Sequence, residues 1–521
     1  TTVAGSQDNG TSIYRKEGWV EFYGADGMEG VVHPLNSDWF MGSVQFGTRR
    51  LSFDGGASQQ GATPSGQSGS WEAPLDRSST DHFTLYHFGD VVYESNDFGL
   101  NWNTKGSPVF SGEIGRAAVA PNDGSILAVS RGDDFEMSFN GGNTFRRRST
   151  GLPTNETITD IAFAPHSDSI IVLTYGAHEN DGQKVFISFN QGLSWNNITH
   201  NLGDMPIRTV VMDDSPDHNI YLGAEIGVYV KPLSGNTWAL YNSGLPNMTV
   251  TDLEIMHGAN LLRAATWGRG MWQIPLKDRA SYPRIETVSL EHRATFRVPT
   301  DIMAQQVTAQ IGYGQAIDTV WLHWSAGSLG LDSLRGMVYQ GDSIWQTLSP
   351  IPAQALGTDV YFKIFAVGTS QDTSMSFRYH YRVQDTGLCQ VTGGNGLPSS
   401  YLSQVVLPGM SNASGRSRYA DFSNKYASMQ SGQTYTLSAD ALNANPGDSV
   451  HAWLDLNGNR VFEREEYVDF GPLDAFGNTL AQYTVPHRLG VDTVLFRIRI
   501  QAAGQMADPC NLSDGETEDY R

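Results

Sequence analysis

Charge is scarce in this chain, and the charge present is mostly of one sign. Charged residues make up 17% of the sequence, below the roughly 25% usual for a globular protein. Acids outnumber bases, 55 to 34, for a net charge of −21. No block of Lys or Arg occurs. Nucleic acid and anionic membranes are therefore excluded as partners, because nothing would neutralise their phosphates. No apolar run approaches the roughly 18 residues that a membrane-spanning helix needs, so no membrane insertion is expected. Cysteine is limited to Cys389 and Cys510, which are either one disulfide of an exported protein or two idle buried thiols. The common catalytic signatures are missing too: there is no Gly-x-Ser-x-Gly elbow, no His-Glu-x-x-His helix and no Walker loop. No signal peptide is visible. Thr1 opens directly into a strand-like segment, and Glu518-Asp519-Tyr520-Arg521 reads as the start of a strand, so a mature or truncated piece is expected.

What the sequence does have is a repeated phrase. It reads Ser95-Asn96-Asp97-Phe98-Gly99-Leu100-Asn101-Trp102, then Ser138-Phe139-Asn140-Gly141-Gly142-Asn143-Thr144-Phe145, then Ser188-Phe189-Asn190-Gln191-Gly192-Leu193-Ser194-Trp195. A shorter version stands at Ser52-Phe53-Asp54-Gly55-Gly56. The leading serines are 43, 43 and 50 residues apart. A repeat of about 40–50 residues built from short strands predicts a β-propeller. Equivalent strands without the phrase occur at Thr11-Ser12-Ile13-Tyr14, Gly227-Val228-Tyr229-Val230 and Gly270-Met271-Trp272-Gln273, which gives about seven blades over residues 1–276. The first and last units look incomplete; either they complete one another or blades lie upstream. Within the phrase, the third-position Asp or Asn is expected to accept backbone N–H groups of its own turn, and the Gly to supply a positive φ. The terminal aromatic is expected to pack back against its blade.

On these residues the segment resembles the Asp-box (BNR) propellers, a family that includes sialidases, sortilin-type receptors and xyloglucanases. Gly5-Ser6-Gln7-Asp8-Asn9-Gly10-Thr11, Gly24-Ala25-Asp26-Gly27-Met28-Glu29 and Thr266-Trp267-Gly268-Arg269-Gly270 resemble a bacterial branch of it. The resemblance implies that the boxes are structural and sit in peripheral turns between strands three and four. The turns between strands two and three then lie at the opposite end, around one mouth. They place Asp8, Gln45, His87, Arg131, Tyr175, Glu225, Trp267 and Arg269 there as candidate ligand-binding residues. Such a mixture of aromatic and polar groups suits an extracellular glycan or protein. The alternative is strand-end caps over a filled channel.

A glycoside hydrolase would need two carboxyl groups facing each other across the scissile bond. Asp8, Asp26, Asp133 and Glu225 are the candidates by position. Sialidases carry an Arg-Ile-Pro segment, and here Arg284-Ile285 is followed by Glu286. Xyloglucanases of the family use two propellers, and this chain has room for one. The expectation is a non-catalytic binding or adhesion protein, with a polysaccharide-active hydrolase second. A structural subunit assembled with other cell-surface proteins is third.

Beyond the repeat, Asp278 to Pro283 reads as a linker. Strand-like segments at 294–298, 319–324, 343–348, 359–365 and 377–383 predict a sandwich over residues 277–385. It resembles the immunoglobulin-like or fibronectin-like spacers of secreted bacterial proteins, with Trp321 and Trp324 as core residues or, alternatively, glycan contacts. Residues 386–521 hold a run with oxygen side chains at Asp455, Asn457, Asn459, Glu463 and Glu466, the spacing of a calcium loop. Arg460 stands where an EF-hand has Gly, and an Asn-Gly hairpin with solvated acids is the alternative. Leu388-Cys389, Tyr401-Leu402-Ser403-Gln404-Val405, Trp453-Leu454-Asp455-Leu456-Asn457, Phe496-Arg497-Ile498-Arg499 and Gly515-Glu516-Thr517-Glu518-Asp519-Tyr520 together resemble the GEVED domain, a β-sandwich of secreted Bacteroidetes-type proteins. That resemblance implies a Cys389–Cys510 disulfide, a secreted or cell-surface location and, usually, a type IX secretion sorting domain further on. The expected fold class is all-β throughout.

Overall fold

Short β-branched and aromatic segments punctuated by glycine turns form antiparallel strands along the chain, as their propensities require. The computed structural model describes residues 1–15, 18–178, 182–290, 304–312, 316–355, 357–383, 398–422, 424–456, 462, 466–486, 494–503, 509 and 515–520. Among them there is no α-helix, only single 3-10 turns at Gln45–Gly47 and His257–Ala259. The chain divides into two compact units. One comprises Thr1–Thr295, Ala304–Pro352 and Thr358–Arg382; the other comprises Phe296–Met303, Ala353–Gly357 and Val383–Arg521.

The first unit opens with seven small sheets of sequentially paired strands, the blades of a β-propeller. They span residues 2–23, 27–61, 75–104, 116–147, 158–197, 207–240 and 250–275, and are called blades 1 to 7. Blades 2 to 6 have four strands each. Blades 1 and 7 have three, and they are separate sheets that do not merge into one. In blade 1 the turn at residues 7–9 lies against the entry to blade 2, where Gly10 N–H donates to Ala25 O at 2.8 Å. Elsewhere the turn between strands two and three takes that place: Ile114 N–H donates to Gly89 O and Ile158 N–H to Gly132 O, both at 2.9 Å. Blade 1 therefore holds strands two to four of the repeat, and blade 7 holds strands one to three. Arg263 of blade 7 joins them by donating to Thr2 Oγ1 of blade 1 at 2.6 Å.

All four copies of the phrase fold alike, as turns between strands three and four. Ser188 Oγ donates to Asn190 Oδ1 at 2.9 Å and accepts Gly192 N–H at 2.8 Å, while Asn190 Oδ1 accepts Ser194 N–H at 2.9 Å. Ser52 with Asp54, Ser95 with Asp97 and Ser138 with Asn140 repeat the pattern. Gly192 sits at φ +75°, and a Cβ there would meet Arg148 Cβ at 3.0 Å, so glycine is required. The terminal tryptophan does more than pack on its own blade. Trp102 Nε1 donates to Ala62 O and Trp195 Nε1 to Arg148 O, both at 2.8 Å, so each indole pins the outermost segment of the preceding blade. Trp238, outside any copy of the phrase, does the same to Ile198 O at 2.9 Å.

A second joint ties blades together near the axis. Asp76 accepts the N–H of Arg77 at 2.7 Å and that of Val119, on the inner strand of blade 4, at 2.8 Å. Asp160 likewise accepts Ile161 N–H and, from blade 6, Val210 N–H, both at 2.8 Å.

The segment after the propeller forms one continuous eight-stranded sheet, from Arg284–Leu290 to Tyr379–Arg382. Its strand Ser333–Gly341 pairs with Ile317–Ala326 at one end and with Ile344–Thr347 at the other. Val320, Leu322, Val360, Phe362 and Ile364 are buried in it. Trp324 is buried as well, whereas Trp321 is partly exposed. Residues 294–298 lie outside the described part. The sheet docks on the propeller where His380 N–H donates to His82 Nε2 at 3.0 Å, and where Asn260 Nδ2 donates to Pro283 O at 2.9 Å.

The second unit contains a β-sandwich of a four-stranded and a five-stranded sheet around Leu402, Val405, Leu437, Val450, Ile498 and Ile500. Gly515–Tyr520 is an inner strand of the five-stranded sheet, buried at every residue. Its acids are paired. Arg497 grips Asp519 with two bonds of 2.7 Å, and Glu516 accepts Leu402 N–H at 2.7 Å and Ser417 N–H at 2.6 Å. Tyr520 OH donates to Glu518 Oε2 at 2.6 Å.

Candidate functional site

The turns between strands two and three gather at one end of the propeller. Asp8, Asp26 and Gln45 form a chain there: Asp8 N–H donates to Asp26 Oδ1 at 2.8 Å, and Asp26 N–H to Gln45 Oε1 at 3.3 Å. Asp8, Arg131, Trp267 and Arg269 are exposed, and Gln45 and Glu225 are half-buried. His87 and Tyr175 are placed differently. Both are fully buried, because each lies within the last two residues of its second strand with the side chain on the face that packs between blades. His87 Nδ1 accepts Arg49 Nε–H at 3.1 Å, which puts the ring proton on Nε2, 3.1 Å from Gln67 Oε1. Burial and, after it, Arg49 hold His87 well below the usual histidine range.

Sequence reasoning missed the most exposed apolar pair of this rim. Phe46, between Gln45 and Gly47, is 54% exposed and Trp71 is 44% exposed, with their rings edge to face at 5.2 Å. Phe46 also sits at φ +60°, in the left-handed region. A bulky side chain there is strained by about 1–3 kcal/mol, a conformation that clusters at functional sites. Trp267, at 69% exposure, is the most open tryptophan on this rim. The signal in the sequence is an aromatic residue set between Gln45 and the turn glycine Gly47.

The candidate catalytic carboxylates are engaged locally. Asp26 accepts Asp8 N–H, Asp133 accepts Asn155 N–H at 2.8 Å, and Glu225 pairs with His178 at 3.0 Å. The perturbed acids lie elsewhere, on the inner strands. Glu29, Asp76, Asp160, Asp252 and Glu254 come from blades 2, 3, 5 and 7, yet they act on one another, which places them around the common axial channel. Burial and then Asp252 push Glu29 up to about 7. Burial first, and then neighbouring acids, also raise Asp252 and Glu254. By surface area these three residues touch solvent, as channel walls do, so protein surrounds them without sealing them off. Burial raises Asp76 and Asp160 too, against the pull of the amides they accept.

In the second unit, Asp455 and Glu466 close the two ends of the candidate calcium loop. Both are buried, and Glu466 Oε1 accepts Leu456 N–H at 2.9 Å. Two buried hard-oxygen carboxylates fit the chemistry of a calcium site. Asn457, Asn459 and Glu463 lie outside the described residues, as do Cys389 and Cys510. Among the described residues no group of three or more His, Cys, Asp and Glu is placed to hold a metal, and no helix is long and apolar enough to cross a membrane.

Comparison with known proteins places a GEVED domain at residues 449–521. No curated protein matches the chain. Among solved structures it is similar to the Niastella koreensis GH74 enzyme, at 14% identity over 67% of this chain and 66% of that one, with a TM-score of 0.37. It is also similar to YCF48 bound to D1 peptide, at 12% identity over 55% and 89% of the two chains, with a TM-score of 0.34. An ancestral GH74 enzyme matches at 10% identity over 99% and 81%, with a TM-score of 0.35. The chain thus spans just under two thirds of the Niastella koreensis enzyme.

Proposed function

We propose that this chain is a secreted or cell-surface binding protein of the Asp-box kind, recognising a glycan or a protein through the propeller mouth without cleaving it. The observation that carries this reading is Phe46, an exposed aromatic held in a strained left-handed conformation against Trp71. Trp267, Arg131, Arg269, Asp8 and Gln45 complete the rim, with Glu225 beside them and His87 and Tyr175 as buried supports. The immunoglobulin-like middle segment serves as a spacer in this reading.

The test is a glycan array and an array of extracellular proteins probed with the full chain, with product analysis by mass spectrometry. Binding without cleavage is expected. Phe46→Gly relieves the left-handed strain, so it should leave melting unchanged or higher while weakening binding roughly tenfold or more. Retained binding in both Phe46→Gly and Trp267→Ala sinks the mouth reading. Cleaved product moves the assignment to a hydrolase, the second reading, which the raised carboxyls Glu29, Asp252 and Glu254 favour as proton donors near neutrality.

The loop from Asp455 to Glu466 is assigned to Ca²⁺, held by Asp455, Asn457, Asn459, Glu463 and Glu466. Calcium is expected to raise the melting temperature of the C-terminal module, EGTA to reverse the rise, and Asp455→Asn to abolish it. Identical melting with calcium and with EGTA removes the site.

A further inference from the structure

The joint between blades 7 and 1 carries a groove that is separate from the mouth. Thr2, Tyr14 and Trp19 line it from blade 1; Arg263, Met271, Trp272 and Gln273 line it from blade 7. Its volume is about 330 Å³, at the small end for a ligand site, and it is open to solvent. In blade 1, Tyr14 pairs across the strands with Trp19, and their rings lie 5.3 Å apart. These two are 45% and 50% exposed, and Trp272 opposite is 39% exposed. Third strands in blades 2 to 6 are largely buried, whereas Gly270 to Gln273 are exposed one after another.

We propose that this groove binds a neutral glycan chain, with Tyr14, Trp19 and Trp272 stacking on sugar rings and Arg263, Gln273 and Thr2 bonding their hydroxyls. Aromatic faces combined with a few polar groups match the two surfaces of a pyranose, one of C–H bonds and one of hydroxyls. The charge balance points to a neutral polymer. Arg263 is the one charged residue in the lining, and Glu254 acts on it as a counter-charge. The whole chain carries −21, which repels polyanions.

An added polypeptide strand fits less well, although the last strand of blade 7 is an open edge. Its ends are already engaged. Trp272 Nε1 donates to Arg269 O at 3.0 Å, Thr266 Oγ1 to Gly270 O at 2.7 Å and Tyr241 OH to Pro275 O at 3.0 Å, and Pro275 has no N–H to give. The ladder available to a visiting strand is therefore short. The side chains, not the backbone, are what the groove offers.

The experiment is isothermal titration and tryptophan-fluorescence quenching of the full chain with cello-, xylo-, manno- and maltohexaose, alongside heparin as the polyanion and an extended uncharged decapeptide. At least one neutral hexasaccharide is expected to bind and quench fluorescence. Trp19→Ala and Trp272→Ala should each weaken it roughly tenfold or more, while Phe189→Ala, a comparably exposed aromatic in the turn between strands three and four of blade 5, leaves it unchanged. Both groove tryptophans are half-exposed, and circular dichroism of the variants checks that the fold survives. Loss in Trp267→Ala alone assigns the glycan to the mouth and overturns the groove. No neutral hexasaccharide bound, or tighter binding of heparin or of the decapeptide, overturns it as well.

Discussion

Arg497→Met is expected to unfold the C-terminal sandwich under conditions in which the unaltered module is stable. Arg497 and Asp519 are both 1% exposed and joined by two bonds of 2.7 Å. Tyr419 OH adds a third contact, to Asp519 Oδ2 at 2.8 Å. Removing the cation leaves a buried, uncompensated carboxylate, which costs about 3–5 kcal/mol. A domain of this size is stable by only about 5–15 kcal/mol in total. Hydrogen exchange followed by mass spectrometry resolves the effect from the rest of the chain. Peptides covering 449–454 and 496–501 should lose protection while those of blades 4 and 5 keep theirs. The double variant Arg497→Met with Asp519→Leu removes both charges and should recover much of the loss. Full protection in Arg497→Met, or no recovery in the double variant, contradicts the pairing as the source of stability.

Propeller stability should peak near pH ~6.5 and fall on both sides. Above the peak the channel carboxyls decide. Glu29 rises from 4.5 to about 7, and Asp252 and Glu254 also rise. Between the unfolded and folded values the native state holds more protons than the unfolded chain, so stability is lost as pH climbs through the folded values. These carboxyls touch solvent, and screening reduces each contribution to about 1 kcal/mol. For a domain of this length that is roughly 2–4 °C of melting temperature each. Below the peak buried histidines decide. His33 is lowered from 6.5 to about 3 by burial and then Arg77, and His82 and His87 are lowered as well. Their stability is present above the unfolded value and lost as pH falls. Differential scanning calorimetry over pH ~5–8.5 measures both limbs. Glu29→Gln should flatten the alkaline limb alone; an alkaline limb that rises, or one that Glu29→Gln leaves intact, removes the channel acids as its cause.

The repeat was legible because its signal is local. Ser188, Asn190 and Gly192 do their work within one turn, so spacing alone reveals seven units and the end at which each turn lies. Joints between units were not legible. Nothing in the phrase says that Trp195 reaches the carbonyl of Arg148 rather than its own blade, since that depends on how neighbouring sheets stack. The channel acids escaped for the same reason: Glu29 and Asp252 stand far apart in sequence and meet only when the ring forms. Mouth residues were read by position, and position does not give facing. It named His87 and Tyr175, which point between blades, and passed over Phe46, whose left-handed backbone turns it outward. Gly515–Tyr520 was legible as part of the GEVED resemblance, but its burial was not, because four polar side chains in six residues carry no hint of the arginine waiting for Asp519.

The aspartate joints bear on how the ring closes. They occur at Asp76 in blade 3 and Asp160 in blade 5, each on a first strand and each reaching the inner strand of the next blade, and Asp252 stands at the same place in blade 7. Blade 1 begins at the second strand of the repeat, so it has no first strand to offer Asp252 an amide, and the hydrogen bonds described for Asp252 stop at Leu253 of its own strand. Among the described residues a side-chain bond, Arg263 to Thr2, takes the place of a main-chain one across this joint. The ring is clasped there rather than laced, and the aromatic groove lies beside the clasp.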